Sequence, residues 1–126
     1  MFNTNNFNKI VDIIRKYNLD YTLYPPATDL EISQLEGQLN FYLPEDFKEF
    51  LKFSNGIYLL YDQIFGIYNK TDSNDLFTNY KQETEESGNP IPKNYCPVLN
   101  NGRGDVECII LYETKEVNLI SPVIFW

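Results

Sequence analysis

Leu43-Pro44-Glu45-Asp46-Phe47-Lys48-Glu49-Phe50-Leu51-Lys52-Phe53-Ser54-Asn55-Gly56 reads as a helix with both of its ends marked in the sequence. Pro44 suits the first helical position, where a missing N–H and a fixed φ do no harm, and Glu45 and Asp46 put negative charge at the positive end of the helix dipole. Phe47, Phe50, Leu51 and Ser54 fall at i, i+3, i+4 and i+7, an apolar stripe that leaves Lys48, Glu49 and Lys52 for water. Asn55-Gly56 supplies a left-handed stop. A short amphipathic helix of about three turns is expected.

Upstream, Thr28-Asp29-Leu30-Glu31 is a capping box, in which the threonine hydroxyl and the glutamate carboxylate each satisfy a free N–H. It opens a helix over 29–39 that turns Ile32, Leu35 and Leu39 inward and ends at Asn40, a residue suited to a left-handed cap. Glu36 lies on the flank of that helix, close to the start of the next one at Pro44, so its carboxylate is placed to accept from free N–H groups there. Earlier still, Phe7, Ile10, Val11, Ile14 and Tyr17 recur at helical spacing and predict a helix over 6–17, with Asn5 or Asn6 as its cap. Leu23-Tyr24-Pro25-Pro26 is an extended connector, because proline drives the residue before it out of helical space.

Downstream, Ile57-Tyr58-Leu59-Leu60-Tyr61 and Ile64-Phe65-Gly66-Ile67-Tyr68 predict a hairpin turning at Asp62-Gln63. Residues 69–94 carry the weakest pattern: Ser73 suits a cap for a helix bearing Leu76, Phe77 and Tyr80, followed by an acidic loop, Glu83-Thr84-Glu85-Glu86-Ser87-Gly88-Asn89-Pro90. Strands are expected at 95–99, 106–112 and 117–125, with turns at 101–104 and 113–116. The fold class is therefore α+β, with N-terminal helices packed on one face of a mainly antiparallel sheet of about five strands.

A chain of 126 residues and 14.8 kDa suits a single domain over residues 1–126. Its net charge of −8 and pI near 4.4 argue against nucleic acid and anionic lipid as ligands and favour a basic protein partner. The acidic excess is greatest over residues 28–56, where six carboxylates stand against two lysines. No apolar run approaches the ~20 residues of a membrane span, and the first residues lack a basic segment followed by an apolar one. A cytoplasmic location is expected. Histidine is absent, which removes His-based triads, His general-base chemistry and His metal ligation. The two cysteines, Cys96 and Cys108, flank the turn region around Gly102 and are placed to face each other across a hairpin; in a cytosolic chain they read as buried core thiols. No cofactor and no metal site is expected.

Ile32, Leu35, Glu36 and Leu39, then Leu43, Pro44, Phe47, Phe50, Leu51, Asn55 and Gly56, then Gly104-Asp105 and Pro122-Val123, together resemble the SUKH superfamily over roughly residues 27–126. That group holds yeast cell-wall-synthesis regulators and bacterial immunity proteins against polymorphic toxins. Two departures stand out. Asn40 replaces the usual glycine, and the sequence stops at Trp126, where family members usually continue into a C-terminal helix. The resemblance implies a non-enzymatic protein-binding domain, an immunity protein that occupies a cognate toxin, with a regulatory or scaffold protein as the alternative. Many such toxins are nucleases with basic clefts.

Other readings of the residues are weaker. Arg103-Gly104-Asp105 is a tripeptide that integrins recognise, but its glycine and aspartate are explained by turn geometry. Gly102-Arg103-Gly104 lacks the helix start or lysine of a phosphate cradle. The aromatic residues, Phe125 and Trp126 among them, serve core packing in a domain this small. A small enzyme using carboxylates or Cys96 would require a deep pocket with a perturbed acid or thiol. Asp29, Glu45, Asp46 and Glu49, on the solvent faces of the acidic segment, are the expected partner-binding set, with Glu83, Glu85 and Glu86 as the rival surface.

Overall fold

A computed structural model describes residues 4–59, 62–68, 73–100, 106–114 and 123–125. In chain order they form α1 (Thr4–Lys16), β1 (Tyr21–Leu23), α2 (Asp29–Leu39), α3 (Glu45–Phe53), β2 (Ile57–Leu59), β3 (Asp62–Ile64), α4 (Leu76–Lys81) with a π-helical continuation (Gln82–Glu86), β4 (Tyr95–Asn100), β5 (Val106–Ile110) and β6 (Val123–Phe125). The sheet follows chain order, β1-β2-β3-β4-β5-β6, and every pair is antiparallel. The class is α+β, as the periodicities imply. The sixth strand is β1, formed where the sequence suggests only a connector: Tyr21, Thr22 and Leu23 pair with Leu59, Tyr58 and Ile57. Three residues ahead of two prolines carry too little local pattern to announce a strand, and pairing across α2 and α3 makes it one.

One hydrophobic core joins the helices to one sheet face. Ile32, Leu35 and Leu39 from α2, Phe47, Phe50 and Leu51 from α3, and Leu76 and Tyr80 from α4 pack with Ile57, Cys96, Val98, Ile109 and Leu111. The capping box at α2 is complete: the Glu31 N–H donates to Thr28 Oγ1 at 3.1 Å, and the Thr28 N–H donates to Glu31 Oε1 at 2.9 Å. Asn40 ends the helix at φ 61°, ψ 28°.

The punctuation of α3 differs from the expected one. Pro44 is the cap rather than the first helical residue, at φ −59° and ψ 147°, and two residues before it Tyr42 makes an antiparallel bridge to Tyr112. The helix stops not in a left-handed residue but at Ser54, which is extended at φ −148°. The positive φ of +87° belongs to Gly56, two residues later, where the chain turns into β2. Around this stop hydrogen bonds tie the backbone to residues 24–25 and 67–68. The Asn55 side chain pairs with the Ile67 backbone like a strand neighbour, Nδ2 donating to the Ile67 carbonyl at 2.9 Å and Oδ1 accepting from the Ile67 N–H at 2.7 Å. Its N–H donates to the Pro25 carbonyl, its own carbonyl accepts from the Tyr68 hydroxyl, and Ser54 Oγ accepts from the Tyr24 N–H.

Further on, Asp62 and Gln63 lie within β3 rather than in the turn before it, opposite Leu59 and Tyr58. Residues 65–68 leave the sheet, and Gly66 makes a parallel bridge to Asp75. Asp75, not Ser73, caps α4: its carboxylate accepts from the Thr78 N–H and, across the chain, from the Tyr68 N–H. The first part of the expected acidic loop, through Glu86, is a helical turn, anchored by buried Thr84, which donates to the Tyr80 carbonyl, and by the Ile91 N–H donating to the Glu83 carbonyl. The expected turn at 101–104, with Gly104 and Asp105, lies outside the described residues, as do residues 117–122, including Pro122; Val123 opens β6 opposite Ile109.

Cys96 stands opposite Ile109 and Cys108 opposite Pro97, so the two thiols project from opposite faces of the ladder instead of meeting. Both are free and buried. Burial pushes both thiols up, Cys108 to about 11, and leaves no nucleophilic thiolate near neutral pH. Native protein at pH 8 should therefore resist alkylation by iodoacetamide for hours and take up two equivalents on unfolding. Rapid modification of the native chain would favour the thiol-enzyme reading.

Candidate functional site

The acidic segment is a face built from two helices. Lys52 Nζ, near the end of α3, lies 3.0 Å from Asp29 Oδ1 at the start of α2, and Lys48 Nζ, one turn into α3, lies 3.9 Å from Glu36 Oε2 near the end of α2. The order of the partners is reversed, so α2 and α3 run antiparallel. Lys48 is not left for water as its place in the periodicity suggests: its side chain is only 12% exposed and also meets Glu45 at 2.8 Å. Of the expected partner-binding set, Asp29 is well exposed, while Glu45, Asp46 and Glu49 are half-buried along α3. Asp46 turns back on its own helix, Oδ1 accepting from the Phe47 N–H at 2.8 Å, which serves the helix start that Pro44 has no side chain to cap. Both lysines of the segment are occupied by carboxylates, and the face keeps a net negative charge.

Glu36 sits between the helices with its side chain 11% exposed. Its Oε2 accepts from the Leu43 N–H at 2.7 Å, one residue ahead of the cap at Pro44 rather than inside the following turn. Replacing Glu36 with glutamine keeps an acceptor and loses the charge facing Lys48, so a loss of about 1 kcal/mol is expected, whereas alanine strands the half-buried Leu43 N–H and should cost about 2–3 kcal/mol. Chemical denaturation of the two variants separates these roles; equal losses would mean that the charge, not the hydrogen bond, matters.

The rival surface is less uniform. Glu83 is half-buried and close enough to Cys108 to raise its thiol, Glu85 pairs with Lys93 at 3.4 Å, and Glu86 is exposed. The two acidic groups are not one surface, since the first spans α2–α3 and the second follows α4. A feature with no strong signal in the sequence lies between them. Phe41, in the short α2–α3 connection, borders three neighbouring concavities of about 510, 480 and 290 Å³. Their walls include Gly37 and Tyr42 on one side and Lys93 and Glu113 on the other. The hint available was two aromatic residues in a connection of five.

A family model described as SUKH_6, SMI1-KNR4 cell-wall, matches residues 29–126. The chain belongs to the SUKH family. The match begins at the first residue of α2 and takes in both acidic surfaces, β2 to β6 and Asn55, while α1 and β1 precede it. The SUKH family comprises immunity and regulatory domains that bind proteins and are generally non-catalytic. No curated protein matches the chain. Among the described residues no helix is long and apolar enough to cross a membrane.

Proposed function

We propose that this SUKH chain, as a single domain over residues 1–126, is a cytoplasmic, non-enzymatic immunity protein that neutralises a cognate bacterial toxin by direct binding, without a cofactor. The observation that carries the reading is the α2–α3 face, where six carboxylates, Asp29, Glu45, Asp46 and Glu49 among them, stand against two lysines, Lys52 paired with Asp29 and Lys48 with Glu45 and Glu36. Such a face offers unbalanced negative charge to a partner with a basic surface, as a nuclease cleft has, and repels nucleic acid and anionic lipid. Glu83, Glu85 and Glu86 are the rival contact surface. The second reading, a regulatory or scaffold protein, is favoured by the cell-wall description of the matched family.

The test is inhibition and binding kinetics with the toxin domain encoded beside this chain. Oppositely charged surfaces steer association, raising on-rates by about 10–10³-fold at low salt and losing that advantage as the screening length falls toward ~8 Å. Charge reversal to lysine at Asp29, Glu45, Asp46 and Glu49 is expected to lower the on-rate by at least tenfold in protein that stays folded by circular dichroism but melts lower for loss of the Asp46 hydrogen bond and the Lys48 and Lys52 ion pairs, and reversal at Glu83, Glu85 and Glu86 to leave the on-rate within about twofold. The opposite ranking moves the contact to the rival surface. Absence of binding at any salt favours the scaffold reading.

A further inference from the structure

Helix α1 buries only half of its apolar face. Val11 and Ile14 are buried, but Ile10, Ile13 and Tyr17, at i, i+3 and i+7, remain half or more exposed, with Leu19 just beyond them. These four are most of the large apolar side chains that the described residues leave exposed, gathered within ten residues of chain ahead of the family match. A continuous apolar strip of this kind on an otherwise acidic protein needs a cover. Its rim is cationic on balance, two lysines against Asp12. Ile13 lies one turn from Lys9 on one side and one turn from Lys16 on the other, both lysines are exposed, and the Lys16 ammonium is 5.8 Å from the Tyr17 ring centre. Arg15, by contrast, is engaged within the chain by the Tyr21 hydroxyl.

The chain carries the complementary chemistry itself. Leu30, at 67% the most exposed of these apolar residues, stands on the first turn of α2 next to Asp29, whose side chain is 84% exposed while one of its oxygens meets Lys52 at 3.0 Å. This corner belongs to the segment with six carboxylates against two lysines. Packing two α1 strips on each other would bring lysines against lysines, whereas packing α1 of one copy on the Leu30 corner of another joins apolar to apolar and opposite charges at the rim. We infer that this chain self-associates head to tail: the Ile10, Ile13 and Tyr17 strip of one copy, flanked by Lys9 and Lys16, docks on the Asp29–Leu30 corner of α2 in a second copy. A head-to-tail contact leaves one free strip and one free corner, so it extends or closes into a ring. Because the corner includes Asp29, self-association also competes with the partner proposed above; that corollary rests on the immunity reading, but the association does not.

Sedimentation equilibrium of the full chain over a range of concentrations, with no toxin present, is the test. The wild type should associate reversibly. Lys9→Glu with Lys16→Glu, Ile13→Asp alone, and Asp29→Lys with Leu30→Lys should each weaken association by at least tenfold while leaving the circular dichroism spectrum and melting temperature close to wild type, since all of these side chains are exposed. Mixing the Lys9→Glu/Lys16→Glu protein, which keeps a working corner, with the Asp29→Lys/Leu30→Lys protein, which keeps a working strip, should restore association, since an unaltered strip meets an unaltered corner and the two reversed surfaces are again opposite in charge. A wild type that stays monomeric throughout, association unaffected by these variants, or a mixture that fails to pair overturns the proposal. Ile13-dependent binding of the monomer to phosphatidylserine vesicles would overturn it in favour of a lipid surface.

Discussion

Phe50→Ala is expected to lower the free energy of unfolding by about 3–5 kcal/mol, the range for removing a large aromatic side chain from a packed core. Phe50 is 8% exposed on the inner face of α3, its ring stacked on Phe47 with centroids 5.9 Å apart, and it belongs to the same cluster as Leu51, Ile57 and Leu76. Truncation leaves a void between α3 and the sheet that neighbours on three elements cannot all move to fill. Lys52, two positions on, points outward and holds an ion pair with a well-exposed aspartate. Lys52→Ala should therefore change stability by no more than ~0.5 kcal/mol. Urea denaturation of both variants decides the matter, provided the slope of free energy on denaturant is unchanged. Equal losses would mean that α3 is not seated on its aromatic face.

Gly66→Ala should be comparably severe for a different reason. A Cβ at this position would lie 2.3 Å from the Asn55 carbonyl oxygen and 2.8 Å from its carbon, and both are backbone atoms that cannot swing aside. Forcing the segments apart adds overpacking strain of about 1–3 kcal/mol and strands buried groups of the Asn55–Ile67 pair at about 1–3 kcal/mol each, so a loss of about 3 kcal/mol or more is expected. Gly88→Ala is the control, since its Cβ would meet nothing within 4 Å. Thermal melts of the two should differ by many degrees. A Gly66→Ala protein that melts like the Gly88→Ala protein would show that the close approach of Asn55 to residue 66 does not contribute to stability.

What the residues announced, and what they did not, divides along physical lines. Features settled within a few residues were readable: the Thr28–Glu31 capping box, the left-handed Asn40, and the inward stripes of α2 and α3. Features settled by distant partners were not. Tyr112 bridges Tyr42 just ahead of α3; Leu59 makes a strand of Tyr21; Tyr68 and Thr78 claim Asp75 as their common acceptor. The candidate site shows the same division. Acidity at Asp29 and Glu45 is visible in the sequence, but the pairing of Asp29 with Lys52 and of Glu36 with Lys48, which offsets part of the segment's charge, depends on α2 and α3 lying antiparallel. Likewise the apolar residues of α1 follow one helical period, and nothing local tells Val11 and Ile14, which find cover, from Ile10 and Ile13, which do not.

Because the strands lie in the sheet in the order in which they leave the ribosome, three of the five pairings join segments close in sequence and two do not. Thr22 meets Tyr58 across α2 and α3, and Ile64 meets Leu99 across α4. Loop closure weighs on those two steps, and the speed at which the chain folds is governed by how soon each is secured. Both closures converge on one short segment: Asn55 binds Pro25 beside the first and Ile67 beside the second. The helix stop at Ser54-Asn55-Gly56 thus acts as a clasp for two long loops at once, and substitutions there should slow refolding more than they hasten unfolding.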